Sequence, residues 1–100
     1  MTLQVTGKNV DVGEAFQGFV SDTLAGVLDK YDRRHLAAHV RVEKERGRFR
    51  TGCSVILKTG QVLESFGEGP DAYSSAGAAL ERLEKRLRRY KRRLKSRHHA

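Results

Sequence analysis

Apolar residues recur along this chain with two different periods, and the switches between them mark out its elements. LQVTG places Leu3 and Val5 two apart, the period of a strand, and Gly7 closes it. After the loop KNVDV, the residues Phe16, Phe19, Val20, Leu24, Val27, Leu28 and Tyr31 recur at steps of three and four. That spacing predicts an amphipathic helix from Glu14, started near Asp11 or Gly13. HLAAHVRVEKE returns to period two through Ala38, Val40 and Val42, ERGR reads as a turn, and FRTGCSVILK alternates through Phe49, Thr51, Cys53, Val55 and Leu57. TGQ turns the chain into the short strand VLESF, and GEGPD breaks the extended run. Asp71 then caps a last helix, predicted from Ala72 to about Lys95, whose seam is Tyr73, Ala76, Leu80, Leu83, Leu87, Tyr90 and Leu94.

The element order is therefore β-α-β-β-β-α, an α+β fold. A crossover through the first helix makes the first two strands parallel if they are neighbours, and the meander adds two antiparallel ones. The expected architecture is a four-stranded mixed sheet with two helices packed on one face. The other face stays wet, in keeping with the Arg, Glu, Gly and Ser at its outward positions. One domain over residues 1–95 is expected, with 96–100 as a flexible tail, and no repeat or linker suggests a second.

Charge changes this picture most. The chain carries a formal net charge of +8, yet residues 1–80 hold as many acidic as basic side chains. The excess lies after Leu80, where Glu81 and Glu84 are the only acids among many Lys and Arg. Numbered as heptads, Arg82, Lys85, Arg86, Arg89, Arg92 and Arg93 share one exposed side of the last helix. Glu81 with Lys85 and Glu84 with Arg88 have the favourable acid-first spacing. Such a field suits a polyanion, and the dominance of Arg points to phosphate, which a guanidinium grips in two places. A solvated helix face, a coiled-coil dimer and a membrane-surface helix are the competing readings. The seam is needed to cover the domain's own sheet, and the helix lacks the large apolar residues of a membrane binder.

A second basic cluster, Arg41, Lys44, Arg46, Arg48 and Arg50, surrounds Gly47, with alternation sending Arg46, Arg48 and Arg50 to one side. Glu43 and Glu45 dilute it, so a charged guard on an edge strand competes with RNA contact there. Phe49 and Phe66 are the only aromatics of the meander, so recognition is expected through phosphates and shape. No catalytic, metal or cofactor site is expected. His35, His39, His98 and His99 have no neighbouring nucleophile, and there is no Gly-rich phosphate loop. Cys53, the sole cysteine, reads as a small buried apolar residue. No apolar run is long enough to span a membrane, and a cytosolic protein is expected.

The collinear motifs TGKNVDV, KYDR, VRVEKE, GEGPDAY and LRRYKRRLK resemble those of the ribosome hibernation promoting factors, also called ribosome-associated inhibitors. The resemblance covers nearly the whole chain and implies the same β-α-β-β-β-α fold, which is like that of a double-stranded-RNA-binding domain. It implies a partner, the small ribosomal subunit with its 16S-type RNA, bound in the channel that messenger and transfer RNA occupy. It further implies inhibition of translation and preservation of idle ribosomes under stress or in stationary phase, with no small-molecule substrate. Carried over residue by residue, the basic helix side here is Arg82, Lys85, Arg86, Arg89 and Arg93. The family has short members and long ones with an added pairing domain, and homodimerisation is not expected from this domain alone. Gly13, before the first helix, and Pro70, Ala76 and Gly77 depart from the family pattern, and the last three predict a weakened start to the last helix. A general structured-RNA-binding domain, and one whose basic helix docks an acidic protein, remain as alternatives.

Overall fold

The computed structural model describes the backbone over residues 2–31 and 37–98, and side chains over 3–30 and 37–93. The elements are β1 (Thr2–Lys8), α1 (Glu14–Tyr31), β2 (Ala37–Glu45), β3 (Arg48–Ile56), β4 (Val62–Gly69) and α2 (Ala72–His98). They form one sheet in the order β1-β2-β3-β4, with β1 parallel to β2 and the other pairs antiparallel. The expected order and sheet are both present. His35, at the approach to the second strand, and His99 lie outside the described residues.

Alternation does what it should. Ala38, Val40 and Val42 of β2, Cys53, Val55 and Leu57 of or beside β3, and Leu63 of β4 are buried under the helices. From α1, Phe16, Val20, Leu24, Val27 and Leu28 meet them; from α2, Ala76, Ala79, Leu80, Leu83 and Leu87. Because both helices cover the same face, the odd positions of β2 and the even positions of β3 and β4 look outward.

β2 and β3 are joined by Arg46 and Gly47 alone, since Glu45 pairs with Arg48. Both turn residues have positive φ, 53° and 78°, the backbone of a tight hairpin turn whose twist matches its strands. Arg46 thus sits in the turn and does not continue the alternation of Arg48 and Arg50 as expected.

The larger departure concerns β4. Its strand does not end at Phe66 but runs on through Gly67 and Gly69, which point inward and receive α2. A Cβ on Gly67 would stand 2.5 Å from the carbonyl oxygen of Ser75 and nearer still to the amide of Ala79. One on Gly69 would lie 2.8 Å from Cβ of Ser74. Helix and strand therefore touch backbone to backbone, and the small residues Ser75, Ala76 and Ala79 are what let them approach. Ala76 is completely buried, so it is a packing residue. Hydroxyls finish the join: Ser65 Oγ donates to the Ala79 carbonyl (2.7 Å), and Ser75 Oγ donates to Ala72 O (3.0 Å). Ser75 Oγ having given its proton there, Thr51 Oγ1 donates to it at 2.7 Å. Among the described residues no buried side-chain polar atom lacks a partner.

Asp71 caps α2 as expected, its carboxylate accepting from the Ser74 amide at 2.8 Å and from the Ser74 hydroxyl at 3.1 Å. The helix continues to His98, so residues 96–98 of the expected tail are helical. Tyr73 is not a buried seam residue. It is 47% exposed and packs edge-on against Phe16 and tilted against Phe19, both with ring centroids at 5.2 Å.

Gly67→Ala should cost about 3 kcal/mol of stability, because overpacking here pushes on backbone that has no rotamer to yield. Gly77 meets nothing within 4 Å of an added Cβ, so Gly77→Ala should raise stability by about 1 kcal/mol. Urea unfolding of the two variants checks both signs; an unchanged midpoint for Gly67→Ala would contradict the packing described.

Candidate nucleic-acid interface

The join with β4 fixes how α2 is rotated about its axis, and so fixes where its cations point. Leu80, Leu83 and Leu87 face the sheet, and Tyr90 donates to or accepts from Thr59 Oγ1 at 2.8 Å, in the turn between β3 and β4. Beyond Tyr90 the helix runs on for about two turns past the sheet. Arg82, Arg86, Arg89 and Arg93 follow one another at steps of four, three and four along the side that overhangs the open edge of β4. Lys85 and Arg92 widen the row towards solvent, and all six are exposed.

Acids neutralise little of this row. Lys85 Nζ lies 3.9 Å from Glu81, and Arg88, on the opposite flank, 3.4 Å from Glu84. Both pairs are largely solvated, which makes each a weak contributor. Among the described residues Arg86, Arg89, Arg92 and Arg93 make no ion pair, as the heptad spacing predicted. Arg82 differs from them: its Nη1 donates to the carbonyl oxygen of Phe66 at 2.6 Å, closing part of the exposed edge of β4. The sequence marked it as a free cation; the structure makes it also a strap between helix and edge strand.

The second basic cluster does not join the first on one surface. Arg41 and Arg48 lie on the outer sheet face, and Arg41 Nε pairs with Glu43 at 3.2 Å. Lys44 is on the helix side, with Nζ 5.6 Å from the centre of the Phe49 ring, and Arg46 is in the turn. Arg50, outward on β3, stands 4.8 Å from the centre of the Phe66 ring. Phe66 itself is 47% exposed on the outer face, where its ring lies across Gly52. That aromatic surface was missed, although the inward set Leu63, Ser65 and Gly67 already implies that Phe66 points out.

No group of three or more His, Cys, Asp or Glu suited to a metal ion occurs among the described residues, and His39 shares a 3.0 Å hydrogen bond with Thr6 Oγ1. Among the described residues no helix is long and apolar enough to cross a membrane. Cys53 is buried as expected. Its thiol is pushed up to about 11 by desolvation, opposed by a weaker hydrogen-bonding contact with Ser65.

The fold is that of related chains. Residues 3–95 match the family described as Sigma 54 modulation protein / S30EA ribosomal protein, and the chain belongs to that family. The family is not one of enzymes. The chain is 48% identical to the ribosome hibernation promotion factor of Bradyrhizobium diazoefficiens over 97% of its own length and 48% of that protein's. It thus spans about half the length of that relative. It is 28% identical to the ribosome hibernation promoting factor of Escherichia coli K12, over 95% of this chain and 98% of the other. Among solved structures, the N-terminal domain of Thermus thermophilus Protein Y superposes with a TM-score of 0.80 at 26% identity, covering 90% of this chain and 99% of that one.

Because only the thiolate reacts, Cys53 should resist a soluble disulfide reagent at pH 8 in the folded protein and react at once in 6 M guanidinium. Rapid labelling under native conditions would show that β3 opens far more readily than this core implies.

Proposed function

We propose that this protein binds the small ribosomal subunit in the channel used by messenger and transfer RNA, and so holds idle ribosomes out of translation. The setting would be the cytoplasm of starved or stationary cells. The observation that carries this reading is the unpaired row Arg86, Arg89 and Arg93 on a helix locked to its sheet. Family membership and the names of the relatives support it.

Cations one turn apart repel one another, and nothing inside the domain offsets that repulsion. A strand of ribosomal RNA would, since phosphates release condensed counterions when guanidinium groups take their place. The row is rigid before binding, so little side-chain order beyond the arginines themselves must be lost. It carries no aromatic or amide side chain suited to reading base edges, so its grip is on backbone and shape. Arg41, Lys44, Arg46 and Arg48 face three directions, and any contacts they add belong to the margins of the interface.

The test is sedimentation of the chain with small subunits, with and without bound messenger and initiator transfer RNA. Saturable binding that those ligands block is expected, weakening with roughly the third to fifth power of salt for about five phosphate contacts. Arg86→Glu with Arg89→Glu should abolish it and leave the unfolding midpoint within about 0.5 kcal/mol, as both face solvent. Arg82 is left out of this pair because of its bond to Phe66. Binding that ignores messenger and transfer RNA would instead identify a general binder of structured RNA. Binding that survives the double variant would move the site elsewhere.

A further inference from the structure

The row of arginines on α2 leads to a second feature. Arg82, at its end nearer the helix start, is hydrogen-bonded to the backbone of Phe66, and the ring of Phe66 lies around the edge of β4 on the outer sheet face. A polyanion following the row therefore arrives beside an exposed aromatic ring. Around that ring, Arg41, Glu43, Arg50 and Gly52 line a shallow depression of about 210 Å³.

Each member has a recognisable part. Gly52 allows the ring to lie down on the sheet, since a Cβ there would come within 3.2 Å of it. Phe66 supplies a π surface, and Arg50, 4.8 Å from its centre, supplies a planar cation that stacks on a base as readily as on a ring. Arg41 and Glu43, paired through one nitrogen and one oxygen at 3.2 Å, keep further N–H donors and a further carboxylate oxygen available. A donor and an acceptor held side by side match a base edge that offers the complementary pair. Guanine, with N1–H and N2–H₂ next to O6, gives the fullest match, its donors to Glu43 and its O6 to Arg41.

From this we propose that the outer sheet face holds a single unstacked nucleobase, preferably guanine, on Phe66 and Arg50, with Glu43 and Arg41 reading its edge. The inference rests on the RNA-binding reading above and adds to it a base-specific contact that α2 does not offer. The outer face as a whole balances its acids and bases, so it does not attract a long polyanion by itself. The base is brought there by the phosphates held on α2.

The experiment is a titration of the isotopically labelled chain with the short RNAs UUGUU, UUAUU and UUUUU, followed by amide and side-chain NMR shifts. The expected result is perturbation of Gly52 and Phe66 together with α2, with UUGUU binding about tenfold tighter than the others, the order of one lost stacking or edge contact. Glu43→Gln should erase the preference and keep the α2 shifts. Phe66→Leu, which still covers Gly52, should weaken all three RNAs by about tenfold, and its thermal melt reports whether the fold is kept. Equal affinity for the three RNAs, with shifts confined to α2, would overturn the proposal. The ribosome reading fails separately: Arg86→Glu with Arg89→Glu tests it on the small subunit, whereas the preference for guanine is read on free RNA.

Discussion

The backbone of α2 rests directly on Gly67 and Gly69 of β4, and the placement of everything functional follows from that contact. Nothing softer than backbone separates helix from strand, so a change of side-chain rotamer cannot absorb a shift between them. The Ser65 hydroxyl ties β4 to the Ala79 carbonyl, and Thr51 of β3 bonds the Ser75 hydroxyl beside the same crossing. A helix seated on leucines alone could roll by tens of degrees at modest cost; one seated on glycine and closed by buried hydroxyls has a single rotation. That rotation sends Arg86, Arg89 and Arg93 over the open edge of the sheet and sends Glu84 and Arg88 towards the other flank.

The consequence is a molecule with distinct faces. α2 alone carries a charge equal to the chain's net +8, while α1 is slightly acidic and the outer sheet face mixes Arg41, Arg48 and Arg50 with Glu43, Glu64 and Glu68. Repulsion along α2 is tolerated because the leucines beneath it are buried. Stability and binding therefore draw on opposite sides of one helix. That arrangement lets the exposed side change its charge without disturbing the core, and it makes the small residues at the crossing far less replaceable than the arginines.

How much of this the sequence disclosed depends on which physical signal each residue carries. Strands with a buried and a wet face announce themselves by alternation, and β2 and β3 were legible for that reason. The cap at Asp71 and the two-sided charge of α2 were legible too, since both are local patterns. Gly67 and Gly69 were read as breakers because glycine signals a turn and a close approach equally well, and only the partner, the Ser75 to Ala79 stretch of α2, distinguishes them. Arg46 was read both as part of the ERGR turn and as sharing the side of Arg48 and Arg50; its positive φ places it in the turn, a backbone state that leaves no periodic trace. Tyr73 fits the spacing of the seam yet lies at its rim, where the aromatic rings of α1 replace the sheet as its neighbour. The exposed ring of Phe66 was derivable from its inward neighbours. Its meaning was not, since Arg41, Glu43 and Arg50 meet it only through the register of three strands.

The central claim, that the overhanging side of α2 lies against ribosomal RNA, is tested most directly by tethered hydroxyl-radical cleavage. An iron chelate attached to Lys85→Cys on α2, or to Asp22→Cys on the exposed side of α1, reports which surface is near RNA. Buried Cys53 does not compete for the label. Strong cuts in small-subunit RNA are expected from position 85 and weak ones from position 22. Equal cutting from the two positions, or stronger cutting from α1, would contradict the claim.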